Sequence, residues 1–263
     1  MEKKYRLTDE TKKFWDITLY RIEALRDFGN VKAGDKGGWI EKESNLSHDD
    51  TCWVGGNAQV YGTAQVFGNA QVFGYAQVFG DAQVSGYAQV YDEARVFGNA
   101  RVCDTAHVAG TAQVFGTAQV FGTAQVFGFA QVHGNAQVHG TAQVFGFAQV
   151  HGNAQVHGNA QVHGNAQVHG NAQVHGIADV CGDAIISSNR DYIVFKNWWS
   201  SGRYFTWTRR NNKWKVGCFY GSGEELIQKA YADSKQSGRE YERIVRYVEE
   251  ILQADNKQIQ NNR

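Results

Sequence analysis

Valine returns at every sixth position from Val54 to Val180, twenty-two times in one phase, and Ile186 takes the next place. Ala holds the position two before it from Ala58 to Ala184, and Gly the position two after it except at Asp92 and Asp104. Six is even, so the period keeps the two-residue alternation of a strand, whereas a helix would spread these valines around its whole circumference. Within each unit Ala and Val face one way, while the residues on either side of Val, usually Gln before it, face the other. The remaining Gly-x pair reads as a corner, because glycine tolerates positive φ and Asn or Asp is the best non-glycine visitor to that region. Asn or Asp stands second in the corner at 57, 69, 81, 99, 135, 153, 159, 165, 171 and 183. A short strand and a tight bend, repeated in one sense, wind into a coil whose turns hydrogen-bond as parallel strands about 4.8 Å apart.

These AQVxGx units resemble the hexapeptide-repeat, left-handed parallel β-helix proteins, whose triangular coil takes three hexads per turn and keeps an aliphatic residue inside. The resemblance covers roughly half the chain; one departure is that Gly sits two residues after the aliphatic position, where the family commonly has it one after. It implies about seven coils, roughly 35 Å long. The expected fold class is mainly β: residues 1–53 as an N-terminal cap with an imperfect first coil, 54–186 as the β-helix, and 187–263 as an α+β cap. Ile40, Leu46 and Cys52 extend the alanine phase backwards, which starts the coil near Trp39. TLYRIEAL and GGWIEKE read as strands before it. In the tail, DYIVFK, RYFTWTRR and KWKVGCFYG are strand-like, and Asn211-Asn212 suits a two-residue hairpin turn. Gly223-Glu224-Glu225 opens a helix to about Ser234, and Tyr241, Ile244, Val245, Val248, Ile251 and Leu252 mark one apolar face of a second. LYRIEALRDFGNVKAGDKGGWIEKESNLS and CWVGGNAQVYG, with the hexads after them, also resemble phage and enterobacterial repeat proteins often labelled transferases, the YdcK-like group, a similarity that brings no established chemistry.

Lys+Arg and Asp+Glu balance at 26 each, so no global field points to double-stranded DNA or acidic lipid, and no apolar run reaches the roughly 20 residues of a membrane span. The charges are segregated: residues 54–186 hold only Arg95, Arg101, Asp81, Asp92, Glu93, Asp104, Asp179 and Asp183. Four cysteines without CxxC spacing and a start lacking a signal-peptide core read as a reduced, cytoplasmic protein.

Seven histidines fill the outward place after Val: His133, His139, His151, His157, His163, His169 and His175. With three hexads per turn, His133, His151 and His169 form one column and His139, His157 and His175 another. Imidazoles about 4.8 Å apart are near enough to share a metal or to repel when protonated. Other outward places offer Gln and Phe rather than a converging third ligand, so solvated surface rungs are favoured over a metal site. Before the histidines the same place carries Tyr61, Phe67, Phe73, Phe79, Tyr91, Phe97, Phe115, Phe121, Phe127 and Phe145. Columns of exposed Phe exceed the apolar patch of an ordinary monomer. A self-association or partner face through Phe79, Phe97, Phe115, Phe121, Phe127 and Phe145 is favoured over ring stacking within the column, and the resemblance implies a homotrimer. In the tail, Trp198, Trp199, Arg203, Tyr204, Trp207, Arg209, Arg210, Lys213, Trp214 and Lys215 interleave rings with cations, able to stack bases and neutralise phosphates of a nucleotide or other phosphorylated ligand. Strand alternation equally lets Phe205, Trp207, Val216 and Cys218 be core under the helices, and core packing is favoured.

The β-helix resemblance also raises enzymatic readings: related acyltransferases use a histidine base, and related carbonic anhydrases hold zinc with three histidines between subunits. Both commonly interrupt the coil with a loop, and nothing interrupts Val54 to Ile186. Near-identical units such as GNAQVHGNAQVHG make several equivalent histidines, whereas a catalytic group needs a unique setting. No Walker, GxGxxG or GxSxG pattern occurs, so no cofactor and no catalytic residue is expected. The expectation is a rigid, non-catalytic, phage-associated scaffold or binding module, with a hexapeptide-type acyltransferase and a nucleotide-sequestering protein as alternatives.

Overall fold

The computed structural model describes residues 2–261. The repeat forms a three-sided parallel β-helix, as the hexads predict. Its faces are an eleven-stranded, an eight-stranded and a seven-stranded sheet, built from two-residue rungs such as Gln131–Val132 and Gln137–Val138. Each rung lies against the one eighteen residues on, so Val96, Val114, Val132 and Val150 stack in one file. The amide after each valine donates to the valine carbonyl of the next turn, as from His133 N to Val150 O at 2.9 Å and from His151 N to Val168 O at 2.9 Å. Every valine and alanine of the repeat phase is fully buried. At about 1.5–3 kcal/mol gross per buried valine, this file supplies the main stabilisation.

The corners explain the glycines. Gly134 has φ +67°, and a Cβ there would lie 3.0 Å from Gly152 N in the next turn, so both the backbone region and the close approach exclude a side chain. Asp92 and Asp104, which replace glycine, hold φ +58°. Their Oδ2 atoms accept from Gly110 N at 3.0 Å and Gly122 N at 2.9 Å, one turn on. Another corner carries an amide ladder, with Asn135 Nδ2 donating to Asn153 Oδ1 at 3.0 Å and Asn153 Nδ2 to Asn171 Oδ1 at 3.1 Å.

At the N-terminal end the coil does begin near Trp39, but in a different phase. Ile40 pairs with Val60 and Leu46 with Val66, so both occupy valine places; Cys52, just before the Trp53–Gln71 pair, keeps the alanine place. Two extra residues in the Ser47–Thr51 corner, where Asp50 has φ +50°, cause this slip. The strands expected around TLYRIEAL and GGWIEKE are present at Ile17–Ala24 and Lys36–Ile40. A further strand, Tyr5–Phe14, completes an antiparallel hairpin that extends one face of the coil and covers its lower edge. Its half-exposed, polar sequence carries no alternation from which it could be read. Asn45, fully buried, donates through Nδ2 to Gly62 O and Ala64 O at 3.1 and 2.8 Å, satisfying carbonyls that no rung below could reach.

At the other end four antiparallel strands, Tyr192–Lys196, Tyr204–Thr208, Lys213–Val216 and Phe219–Gly221, are followed by helices α1 (Gly223–Asp233) and α2 (Lys235–Asn261). Ser222 and Glu225 close a capping box on α1: Glu225 N donates to Ser222 Oγ at 3.3 Å, and Ser222 N donates to Glu225 Oε2 at 2.7 Å. Leu226, Ile227, Ala230, Tyr241, Val245 and Val248 pack onto Phe205, Trp207 and Trp214, forming a second core. The hairpin turn is four residues long, because Thr208 pairs with Lys213. Asn212 takes φ +47° and its Oδ1 accepts from Trp207 Nε1 at 2.9 Å, so the asparagine pair is used partly to satisfy a buried indole. Val216 is half-buried and packs against this core, whereas Cys218 is exposed. No helix among the described residues is long and apolar enough to cross a membrane.

Candidate functional site

The coil rise sets the spacing of everything on its outer faces. On one face Tyr61, Phe79, Phe97 and Phe115 stack at centroid distances of 5.0, 4.9 and 4.8 Å with planes within 3° of parallel. His133, His151 and His169 continue the same file at 4.7, 5.0 and 5.1 Å. A second file runs Phe121, His139, His157, His175. A third runs Phe127, Phe145, His163 at 4.9 and 4.7 Å, separated by Ala109 from a Phe73–Tyr91 pair. Each stacked pair adds about 0.5–1.5 kcal/mol beyond burial. Of the phenylalanines of the expected interface, Phe79, Phe97 and Phe115 stack on one another, Phe127 on Phe145 and Phe121 on His139, and all six are half-buried. The most exposed coil aromatics stand elsewhere, at the corner positions Tyr75, Tyr87, Phe129 and Phe147, which the outward-slot argument missed.

Stacking also decides what the histidine columns can do. Imidazole lone pairs lie in the ring plane, and the planes of His133 and His151 are 4° from parallel with centroids 5.0 Å apart. Among the described residues, no three ligand atoms of either column come within 4.8 Å of one another. His133, His151 and His169, like His139, His157 and His175, thus stand side by side without converging. Burial lowers the pKa of His133 and His139, and burial with the charges of both column neighbours lowers those of His151 and His157.

The tail set divides. Trp207 and Trp214 are 1% exposed and belong to the second core, so they offer no face to a base. Trp199 is half-buried and packs edge-on against Tyr241 at 4.9 Å. Arg209 is held by Asp255 at 2.5 Å, Arg210 donates to Ser187 Oγ at 2.8 Å, and Lys215 donates to Gly217 O at 2.6 Å. Lys213 is half-buried at the start of its strand. Arg203, Trp198 and Tyr204 stay on the surface, the rings 70% and 47% exposed.

Among the described residues, the one group of three unlike metal-ligating side chains lies at the seam between the last coils and the tail. His163 and Cys181 occupy the same outward place one turn apart, since Val162 pairs with Val180, and Asp179 fills the Gln place beside Cys181. His163 Nε2 lies 2.7 Å from Asp179 Oδ1, and one ligand atom from each of His163, Asp179 and Cys181 falls within 4.8 Å of the others. Phe145 stacks on the imidazole and fixes its plane. From the tail, Thr206 Oγ1 accepts from Asp179 N at 2.9 Å, and Lys215 Nζ approaches Asp179 Oδ2 at 3.8 Å. Cys181 is buried, and burial with the nearby Asp179 carboxylate pushes its thiol up to about 12. The signal was in the sequence: GIADVCG combines an acid in the Gln place with a cysteine after Val, one turn beyond His163.

No protein-family profile matches the chain. Among curated proteins it is similar to the "Uncharacterized acetyltransferase YdcK" of Escherichia coli (strain K12), with 37% identity over 60 residues that make up 20% of this chain and 18% of that protein. The matched segment spans less than a fifth of that relative. This partial likeness, together with the stacked six-residue coil, agrees with a hexapeptide-repeat β-helix protein related in part to the YdcK group.

Proposed function

We propose that the protein is a rigid β-helical scaffold or binding module that presents its regularly spaced outer faces to a second copy or a partner. The supporting observation is the uninterrupted register from Trp53 to Ile186, in which each histidine of the two imidazole columns has near-equivalents above or below it. A repeat of this kind is a ruler: it spaces identical surface elements at one fixed rise and resists bending, because each turn is bonded to both neighbours. The test is to delete residues 135–152, one whole turn in phase. A scaffold keeps its fold and its self-association by native mass spectrometry, whereas a site assembled across defined turns is lost.

The partial likeness to a protein named an acetyltransferase favours one second reading, a hexapeptide-type acyltransferase. In that case one histidine would act as general base on an acceptor facing an acyl thioester. Turnover of such a donor by the purified chain, abolished by a single His→Ala substitution, would replace the scaffold reading. Binding of a nucleotide or other phosphorylated ligand rests on Trp198, Arg203 and Tyr204, since the remaining cations of the tail set are paired or half-buried. Retained binding after Arg203→Ala and Trp198→Ala would exclude that surface.

A further inference from the structure

We propose that His163, Asp179 and Cys181 form a binding site for one borderline-soft divalent metal ion, of the zinc class, at the seam between the β-helix and the C-terminal domain. Three different metal-ligating side chains converge here, and among the described residues this is the one group of three or more that does so. The donor set of imidazole nitrogen, carboxylate oxygen and thiolate sulfur suits zinc or cobalt and disfavours magnesium and calcium, which take oxygen. Zinc bonds of about 2.0–2.1 Å to nitrogen, 2.0–2.2 Å to oxygen and 2.3 Å to sulfur need the three donor atoms some 3–4 Å apart. His163 Nε2 and Asp179 Oδ1 stand 2.7 Å apart and all three donor atoms lie within 4.8 Å of one another, so side-chain shifts of about an ångström bring them to that scale.

The surroundings are already arranged for it. His163 is oriented by the Phe145 ring, and Asp179 Oδ1 is the oxygen turned to His163 while Lys215 approaches Oδ2. The His163 and Asp179 side chains are 21% and 31% exposed, leaving an open side where water can complete four-coordination. The ammonium of Lys215 opposes the incoming cation, and Asp183 lies nearby but is held by Tyr220 and Asn211. Without metal the thiol keeps its proton; the ion displaces it to solvent and takes the sulfur as thiolate, so affinity rises with pH. All three ligands belong to neighbouring turns of the coil, so the bound ion would staple the His163 turn to the Asp179–Cys181 turn beneath Thr206 and Lys215 of the tail.

The test uses full-length protein without an affinity tag, titrated with Co²⁺ and followed by its sulfur-to-cobalt charge-transfer absorption, with Zn²⁺ competition. The expected result is one ion per chain, with the sulfur band lost in Cys181→Ser. Affinity should fall at least about tenfold in Asp179→Gln, since even outer partners of metal ligands typically contribute 10–100-fold. Asp179→Gln restores the residue that most turns carry there, so it separates loss of a ligand from loss of fold. The absence of a sulfur band in the wild type, or a band that survives Cys181→Ser because Cys103 or Cys218 supplies it, would overturn the site. So would unchanged affinity in a folded Asp179→Gln.

Discussion

The coil and the C-terminal domain are both β-rich and both well buried, yet they are stabilised in opposite ways. In the coil each valine is one of many in a file, and its loss is shared between identical neighbours. In the tail, Phe205, Trp207 and Trp214 are few, large and irreplaceable, closed over by two helices. Repetition makes a surface of equivalent positions, while irregularity makes singular ones. Among the described residues, the only group of three unlike ligating side chains lies where the two meet.

That contrast is tested most severely by Trp207→Ala. Truncating a buried tryptophan should destabilise the tail by about 3–5 kcal/mol, with loss of near-ultraviolet CD and of amide protection in residues 192–261, while coil amides stay protected; equal loss of both would erase the distinction. A smaller effect, about 2 kcal/mol, is expected from Gly134→Ala, because a left-handed backbone costs an alanine about 1–2 kcal/mol and its Cβ would press on the next turn. Denaturant midpoints measure it.

Smaller again is the response to acid, which separates the phenylalanine half of the coil from the histidine half. His133, His139, His151 and His157 have folded pKa values below the ordinary value of about 6.5. Between those folded values and 6.5 the unfolded chain binds more protons than the folded one. Stability therefore falls as pH drops through that window and levels off below it. Thermal midpoints of wild type should decline across this range, and those of His151→Gln/His157→Gln should decline less. Smallest of all, His175→Ala, at the exposed end of its column, should change stability by less than about 0.5 kcal/mol.

The coil was legible because its evidence was redundant. Twenty-two valines in one phase fix the strand period, the inward face and the eighteen-residue lag, and even the corner exceptions Asp92 and Asp104 belong to the residue class that tolerates positive φ. Redundancy also misled. It drew attention to the histidine columns, which the sequence reading already favoured as surface rungs, and away from Asp179 and Cys181, which each break the repeat at their place. The phase slip before Cys52 was hidden because Ile40 and Leu46 lie on the six-residue grid two places away from where the chain puts them. Phe205 and Trp207 followed the core alternative that strand alternation had left open, Trp214 joined the same core although that alternative did not include it, and Arg209 and Arg210 met partners distant in sequence.

By itself the sequence determined the winding of residues 54–186, since a period shared by strand alternation and corner chemistry leaves one way for local geometry to propagate. Which surfaces remain free, how the hairpin seals the lower end, and that Asp179 and Cys181 meet His163 beneath Lys215 and Thr206 were decided only in three dimensions. Those outcomes depend on single long-range contacts between unlike side chains, and no repeat announces them.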